Sequence, residues 1–310
     1  MITIRHLRYF AALAQHRHFG RAADACAISQ PALSLQIKDL EEQLGAQLVE
    51  RDHRQLHLTS LGEAFADRAQ QIVRSVDELM DLARASGPSL TGRLRIGMIP
   101  TVAPYLLPAV IRRLSERFPA VELRPREAVT GKLTEDLING GLDVAVMALP
   151  TSQPALQEHP LFDEEFVLVR PLTDRHRPPP GAESLSAMRL LLLEEGHCFR
   201  DQALAFCKMS PGLSQDPMEG SSLATLVRMV GAGMGVTLIP EMAVKAETAA
   251  VEVDIARLAA PRPSRRIGLV WRRTNPLAEH FVALSEIIGQ EHDALRDGRA
   301  SGEEEGGRHP

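Results

Sequence analysis

FGRAADACAISQPALSLQIKDLEEQLG, from Phe19 to Gly45, carries two helices and the turn between them. Phe19, Ala22, Ala23 and Cys26 recur at helical spacing in the first. Ser29-Gln30-Pro31 then opens a second helix, with Ser29 as its N-cap and Pro31 in its first turn. Leu33, Ile37, Leu40 and Leu44 share one face of it, and Gly45 is a natural C-cap. Cys26, on the small-residue face of the first helix, reads as a core thiol. Upstream, Leu7, Phe10, Leu13 and Ala14 mark another helix. Downstream, Leu48-Val49-Glu50-Arg51 and Leu56-His57-Leu58-Thr59 alternate as the strands of a short hairpin. Helix, short turn and helix is the layout in which the second helix enters a DNA major groove. The face opposite its apolar one carries Pro31, Ser34, Leu35 and Lys38, with Gln30 at the N-terminal edge. Gln reads adenine bidentately and Ser serves base or phosphate. Arg21 opens the preceding helix, and Arg51 and Arg54 flank the hairpin, placed for phosphate contacts. Residues 1–60 hold seven Lys or Arg against six Asp or Glu. That near-balance leaves open a helical dimerisation module without DNA.

From Ser60 a long helix is expected to Arg84, opened by a capping box of Ser60 and Glu63. Leu61, Phe65, Ala69, Ile72, Val76, Leu79 and Ala83 form a seam at steps of four and three, fit for a coiled-coil dimer or for packing on its own domain. Gly87-Pro88 reads as a hinge. Strands are then expected at Leu94–Ile99, Val121–Arg126, Asp143–Leu149, Phe166–Val169, Leu190–Glu194, Val236–Ile239 and Ile267–Trp271. Helices at Pro104–Phe118, Gly131–Gly140, Ser222–Ala232 and Pro276–Leu295 alternate with them, which predicts α/β with a mostly parallel sheet. The expected organisation is a winged helix-turn-helix over 1–60 and a linker helix with hinge over 60–88. A two-subdomain α/β regulatory domain of periplasmic-binding-protein-like architecture follows over 91–296. Its lobe I covers about 91–163 and 266–296, its lobe II about 164–265. A Gly- and Glu-rich disordered tail fills 297–310.

The chain has 310 residues, 44% hydrophobic and 24% charged, with a formal net charge of −5. The length is ample for a sizeable core, and the charge excludes a nucleic-acid binder held by net charge alone. No stretch of about 20 unbroken apolar residues exists to form a transmembrane helix. The N-terminal segment lacks a long apolar core and a small-residue cleavage site, so no signal peptide and a cytoplasmic location are expected. Three cysteines, Cys26, Cys198 and Cys207, exclude a disulfide scaffold and a four-cysteine zinc site. No metal and no cofactor are expected.

Phe19-Gly20-Arg21-Ala22-Ala23, Ser29-Gln30-Pro31-Ala32-Leu33-Ser34, Leu44-Gly45, Arg51 and Thr59-Ser60-Leu61-Gly62 resemble the winged helix-turn-helix of LysR-type transcriptional regulators. The resemblance covers essentially the whole chain. It implies a homotetramer, a dimer of dimers, on double-stranded promoter DNA with dyad symmetry, with RNA polymerase as a further partner and no membrane.

Leu190 to Cys207 reads LLLLEEGHCFRDQALAFC and is similar to the peroxide-sensing members of that family. Ile99-Pro100-Thr101, Pro104-Tyr105-Leu106-Leu107-Pro108, Pro160-Leu161-Phe162-Asp163-Glu164 and Ile267-Gly268-Leu269-Val270 share the similarity. The resemblance implies a peroxidatic Cys198 and a resolving Cys207, hydrogen peroxide as the signal, oxidative-stress genes as targets, and glutaredoxin or thioredoxin as reductant. It places Thr101, Thr130 and His197 in the peroxide pocket, with one of Arg265 and Arg266 beside the sulfur. Arg265 is the better match, although Ser264 departs from the usual pattern, as does Val129 where a polar residue is the rule. Read from the residues themselves, Cys198 lies at a helix start, where the dipole favours thiolate, the form that peroxide oxidises. His197 and Arg200 are its neighbours in sequence. If residues 198–207 are one helix, the two sulfurs are separated by roughly 13.5 Å of rise, whereas a disulfide needs Cα atoms within roughly 7 Å. Closure then requires the helix to unwind, with Phe199, Leu204 and Phe206 changing burial. Two other functions compete. One is a LysR-type regulator answering a small metabolite between the lobes, with Ser221, Ser222 and Thr101 lining the cleft. The other is a thiol peroxidase or reductase, disfavoured by the helix-turn-helix and the absence of Cys-x-x-Cys; the chain is expected not to be an enzyme.

Overall fold

The computed structural model describes residues 1–51, 56–85, 87, 89–181, 184, 185, 188–207 and 219–298, without the side chain of Arg51. The chain forms two compact units, Met1–Ser86 and Gly87–Pro310. Arg54, Pro88 and the tail beyond Gly298 lie outside the described residues.

The first unit runs α1 (Ile4–His16), α2 (Phe19–Ala25), α3 (Gln30–Leu44), β1 (Val49–Arg51), β2 (Leu56–Leu58) and α4 (Ser60–Ala85). Phe10, Leu13, Ala22, Leu33, Ile37 and Leu40 fill one core, closed from α4 by Phe65, whose ring meets Phe10 edge-on at 5.4 Å. α3 is fastened at both ends. Ser29 Oγ accepts from the Ala32 N–H at 3.4 Å, and Gly45 takes the left-handed conformation, φ 65°, at the C-cap. The Glu41 carboxylate accepts from the N–H groups of Leu48 and Val49 at 2.7 and 3.0 Å, which ties the β1–β2 wing to α3. The buried His6 of α1 approaches Asp39 of α3 at 3.2 Å.

Three expectations change here. The cap of α4 is Thr59, whose Oγ1 accepts from the Gly62 N–H at 2.9 Å; Glu63 instead pairs with Arg17 at 2.7 Å. Thr59 wins because the β2 strand delivers it with its hydroxyl also donating to Gln47 O at 2.9 Å. Cys26 is not in the core: it is the C-cap of α2, half-buried in the turn before α3. The seam of α4 divides. Phe65 and the buried Ala69 pack within the unit, while Ile72 and Leu79 are 47% and 67% exposed.

The second unit holds β3 (Gly92–Met98), α5 (Ala103–Arg117), β4 (Val121–Glu127), α6 (Thr130–Ile138), β5 (Val144–Leu149), β6 (Leu156–Pro171), β7 (Leu190–Leu193), α7 (Cys198–Phe206), β8 (Glu219–Gly220), α8 (Leu223–Gly231), β9 (Val236–Pro240), α9 (Val244–Thr248), β10 (Val253–Arg257), β11 (Ser264–Arg272) and α10 (Ala278–Arg296). The strands join in the order β4-β3-β5-β11-β6-β9-β7-β8, with β10 on β6. The sheet is mixed rather than mostly parallel. β3 pairs in parallel with β4 and β5, and β7 with β8 and β9, but β6 and β11 run antiparallel to their neighbours. Those two strands explain the difference. β6 pairs with β11 through residues 156–165, then with β9 from Phe166 and with β10 from Val167, so one strand passes from one lobe into the other. Its first ten residues, with Pro160 and four carboxylates, lack the apolar pattern of a strand. The ladder slips a residue between Ile267 and Gly268, opposite Pro160. A Cβ at Gly268 would fall 2.9 Å from His159 O, so only glycine allows that approach.

Candidate functional site

On the first unit, α3 presents Gln30, Pro31, Leu35 and Lys38 to solvent, with Ser34 half-buried. Leu35 is 65% exposed, an apolar side chain set among polar ones. Its position suits a thymine methyl. Arg21 is exposed and its guanidinium donates to His16 O at 3.0 Å. Lys38 makes a 3.4 Å surface pair with Glu42. Such a pair is weak enough to yield to a phosphate.

On the second unit, the stretch after β7 makes a sharp turn at Gly196, φ 93°. His197 follows in extended conformation as N-cap, without a side-chain cap bond, and Cys198 is the first residue of α7. Cys198 is half-buried; Cys207 caps the other end and is buried. Both are free thiols. Burial pushes the Cys207 thiol up to about 11, so it stays protonated in this form. Burial also lowers His197, against the opposing pull of Glu194 and Glu127, and so favours a neutral imidazole. A Cβ built on Gly196 would lie 3.8 Å from Val129 Cγ2, which places the Val129–Thr130 start of α6 against the same turn.

Arg265 is fully buried. Its Nε donates to Glu164 Oε2 at 2.8 Å, Nη1 to Thr101 Oγ1 at 2.6 Å and Nη2 to Thr101 O at 3.1 Å. Its guanidinium carbon lies 5.3 Å from the centroid of the Phe199 ring, the residue after Cys198. Strand alternation turns the next arginine, Arg266, outward to an exposed pair with Asp163. Arg265 therefore joins Thr101 to the first turn of α7, while Arg266 stands outside. Thr130 Oγ1 is buried without a hydrogen-bond partner. Thr101 Oγ1 accepts from Arg265, which leaves its own hydrogen free to donate.

Three side chains lie inside the segments that carry the resemblance, but their roles in this site were not read from the sequence. Gln202, one turn after Cys198, has a buried Oε1 without a partner, a further acceptor on α7. Glu164 is the counter-charge of Arg265, 101 positions away. Arg200 pins α7 to the sheet, donating to Leu193 O at 2.8 Å and Glu219 Oε1 at 2.5 Å. Only their alternation or periodicity was visible, and neither tells which polar residue faces inward.

Comparison with known proteins matches residues 4–63 to the bacterial regulatory helix-turn-helix proteins of the lysR family and residues 88–293 to the LysR substrate binding domain. The chain belongs to the LysR family. Among LysR relatives, the DNA-binding transcriptional dual regulator OxyR of Escherichia coli K12 is 42% identical over 301 residues, covering 96% of this chain and 98% of that protein. A cysteine variant of full-length OxyR from Pseudomonas aeruginosa superposes with a TM-score of 0.72 at 35% identity, covering 93% of this chain and 95% of that one. A cysteine-to-serine variant of Corynebacterium glutamicum OxyR with H2O2 bound gives 0.67 at 35% identity over 96% and 95%.

Proposed function

We propose that this LysR-family chain is a DNA-binding transcription regulator that senses hydrogen peroxide through Cys198 and Cys207 and controls oxidative-stress genes. One observation carries the reading: the two cysteines stand at opposite ends of the nine-residue α7, one half-buried at its start and one buried at its end. The Cys198 thiolate attacks one peroxide oxygen. The S–O bond forms, the O–O bond breaks, and hydroxide leaves to become water with the thiol's proton. Neutral His197 is the adjacent base, Thr101 and Thr130 supply hydroxyls to the peroxide, and Arg265 supplies the buried positive charge. Cys207 then attacks the sulfenic sulfur, the S–S bond forms and a second water leaves. Two thiols and one peroxide thus give one disulfide and two waters.

Nine residues of helix keep the sulfurs roughly 13.5 Å apart along the axis, so this second step requires α7 to unwind. The repacking then alters how a homotetramer, a dimer of dimers, sets its helix-turn-helix units on promoter DNA and presents them to RNA polymerase. Glutaredoxin or thioredoxin returns the disulfide to thiols. Gln30, Pro31, Ser34, Leu35 and Lys38 face the groove, with Arg21, Arg51 and Arg54 on phosphates.

Mass spectrometry after stoichiometric peroxide tests the reading, with non-reducing digestion and a Cys207→Ser control. The expected product is a Cys198–Cys207 crosslink within seconds to minutes, with Cys26 still alkylatable. If both thiols stay alkylatable, peroxide sensing falls and a metabolite between the lobes takes its place.

A further inference from the structure

Tyr105 and Glu247 lie 142 positions apart, and neither is among the residues assigned above to the sulfur chemistry or the DNA face. Tyr105 stands in the first turn of α5, on the β3 side of the sheet. Its half-buried ring packs against the core of the opposite lobe, built from the end of β6, β7, β9 and α8. Its hydroxyl donates to Glu247 Oε1 of α9 at 2.7 Å. Burial, with Glu247 beside it, holds the phenol above its ordinary range, so that hydrogen stays in place. Four residues before Tyr105 is Thr101, which takes two donors of Arg265. Glu164, the partner of Arg265, accepts with its other oxygen from the Met242 N–H at 3.0 Å. The segment 242–247 is therefore fastened twice to one turn of the opposite lobe: through Glu164, Arg265 and Thr101 at its start, and through Tyr105 at its end.

We propose that the Tyr105–Glu247 hydrogen bond is a latch between the two lobes, made in the thiol form, that sets the balance between thiol and disulfide at Cys198 and Cys207. The inference rests on the redox reading above. Phe199 lies against both Arg265 and Phe166, whose ring centroid is 4.6 Å away. Unwinding α7 lifts Phe199 from Arg265 and loosens the anchor of Thr101, one helical turn from Tyr105. A contact made in only one of two forms weights the equilibrium toward that form.

The test uses Y105F and E247Q in the full-length protein, equilibrated in glutathione buffers of set ratio. There one protein dithiol and one oxidised glutathione exchange to one protein disulfide and two reduced glutathiones. Y105F is expected to move the midpoint about three- to tenfold toward disulfide, the factor one net hydrogen bond carries. E247Q keeps an acceptor oxygen and moves it less. Deuterium uptake in 241–248 of the thiol form rises in Y105F. The rate of sulfenic acid formation at Cys198, read in a Cys207→Ser background, changes less than twofold. A purely structural tyrosine would weaken both forms alike and leave the midpoint where it was. An unmoved midpoint in Y105F, with the wild type forming its disulfide normally, overturns the latch. If the wild type forms no disulfide, the redox reading fails and deuterium uptake alone judges the latch: unchanged uptake in 241–248 overturns it, and raised uptake upholds the interlobe contact.

Discussion

α3 and α7 are both short helices that carry the chemistry of their unit, but they are held in opposite ways. α3 has fifteen residues, a side-chain N-cap, a left-handed glycine C-cap and a carboxylate that locks the wing to it. α7 has nine residues and no side-chain N-cap, and its hold comes from elsewhere: Arg200 on Leu193 and Glu219, and Phe199 on Arg265. A helix that must present the same face to DNA each time is secured by its own ends. α7, which the proposed disulfide would unwind, is secured by contacts that a single covalent event can withdraw. Nine residues are too few for helix stability in isolation, so α7 exists only while its tertiary contacts do.

The largest effect should come from removing the remote support of α7. Arg265→Leu leaves Glu164 buried without its counter-charge, which costs roughly 3–5 kcal/mol. Trp271, buried in β11 and the only tryptophan, reports the second unit alone, so urea unfolding followed by its fluorescence checks the loss. An unchanged transition would mean that the second unit does not depend on this pair.

A pH scan reads the Cys207 end of α7. The Cys207 thiol is raised from 9.0 to about 11 in the folded form. The folded protein then holds this proton when the unfolded chain has lost it. The resulting stability is complete below about pH 9 and is lost as pH rises toward 11. Cys207→Ala should flatten that alkaline limb, measured by thermal unfolding at a series of pH values; a limb of undiminished slope would contradict the burial.

The smallest effects come from equal weakening of the two helices. Ala205→Gly at an exposed position of α7 and Ser29→Ala at the α3 cap each cost about 1 kcal/mol. Ala205→Gly should move the thiol–disulfide midpoint about fivefold toward disulfide and leave DNA affinity alone. Ser29→Ala should lower affinity for promoter DNA in a titration and leave the midpoint alone. A crossed result, with either variant changing the other's readout, would erase the distinction between the helices.

Much of the architecture was legible from residues close in sequence. The period of Leu33, Ile37 and Leu40, the Ser29 and Gly45 caps and the β1–β2 hairpin are decided within a few residues of each other. So is the nine-residue spacing of Cys198 and Cys207. Where two neighbouring hydroxyls competed for one cap, sequence chose Ser60 and the strand geometry chose Thr59. The long β6 escaped because a strand that crosses between lobes changes its surroundings halfway and shows no steady alternation. Only the tertiary structure decided that Arg265 turns inward and Arg266 outward, that Arg200 binds Leu193 O and Glu219, and that Tyr105 meets Glu247. The reason is physical. Caps and periodicity are energies among neighbours in the chain, whereas the partner of a buried charge is whichever group the folded sheet brings within 3 Å, here from 101 positions away.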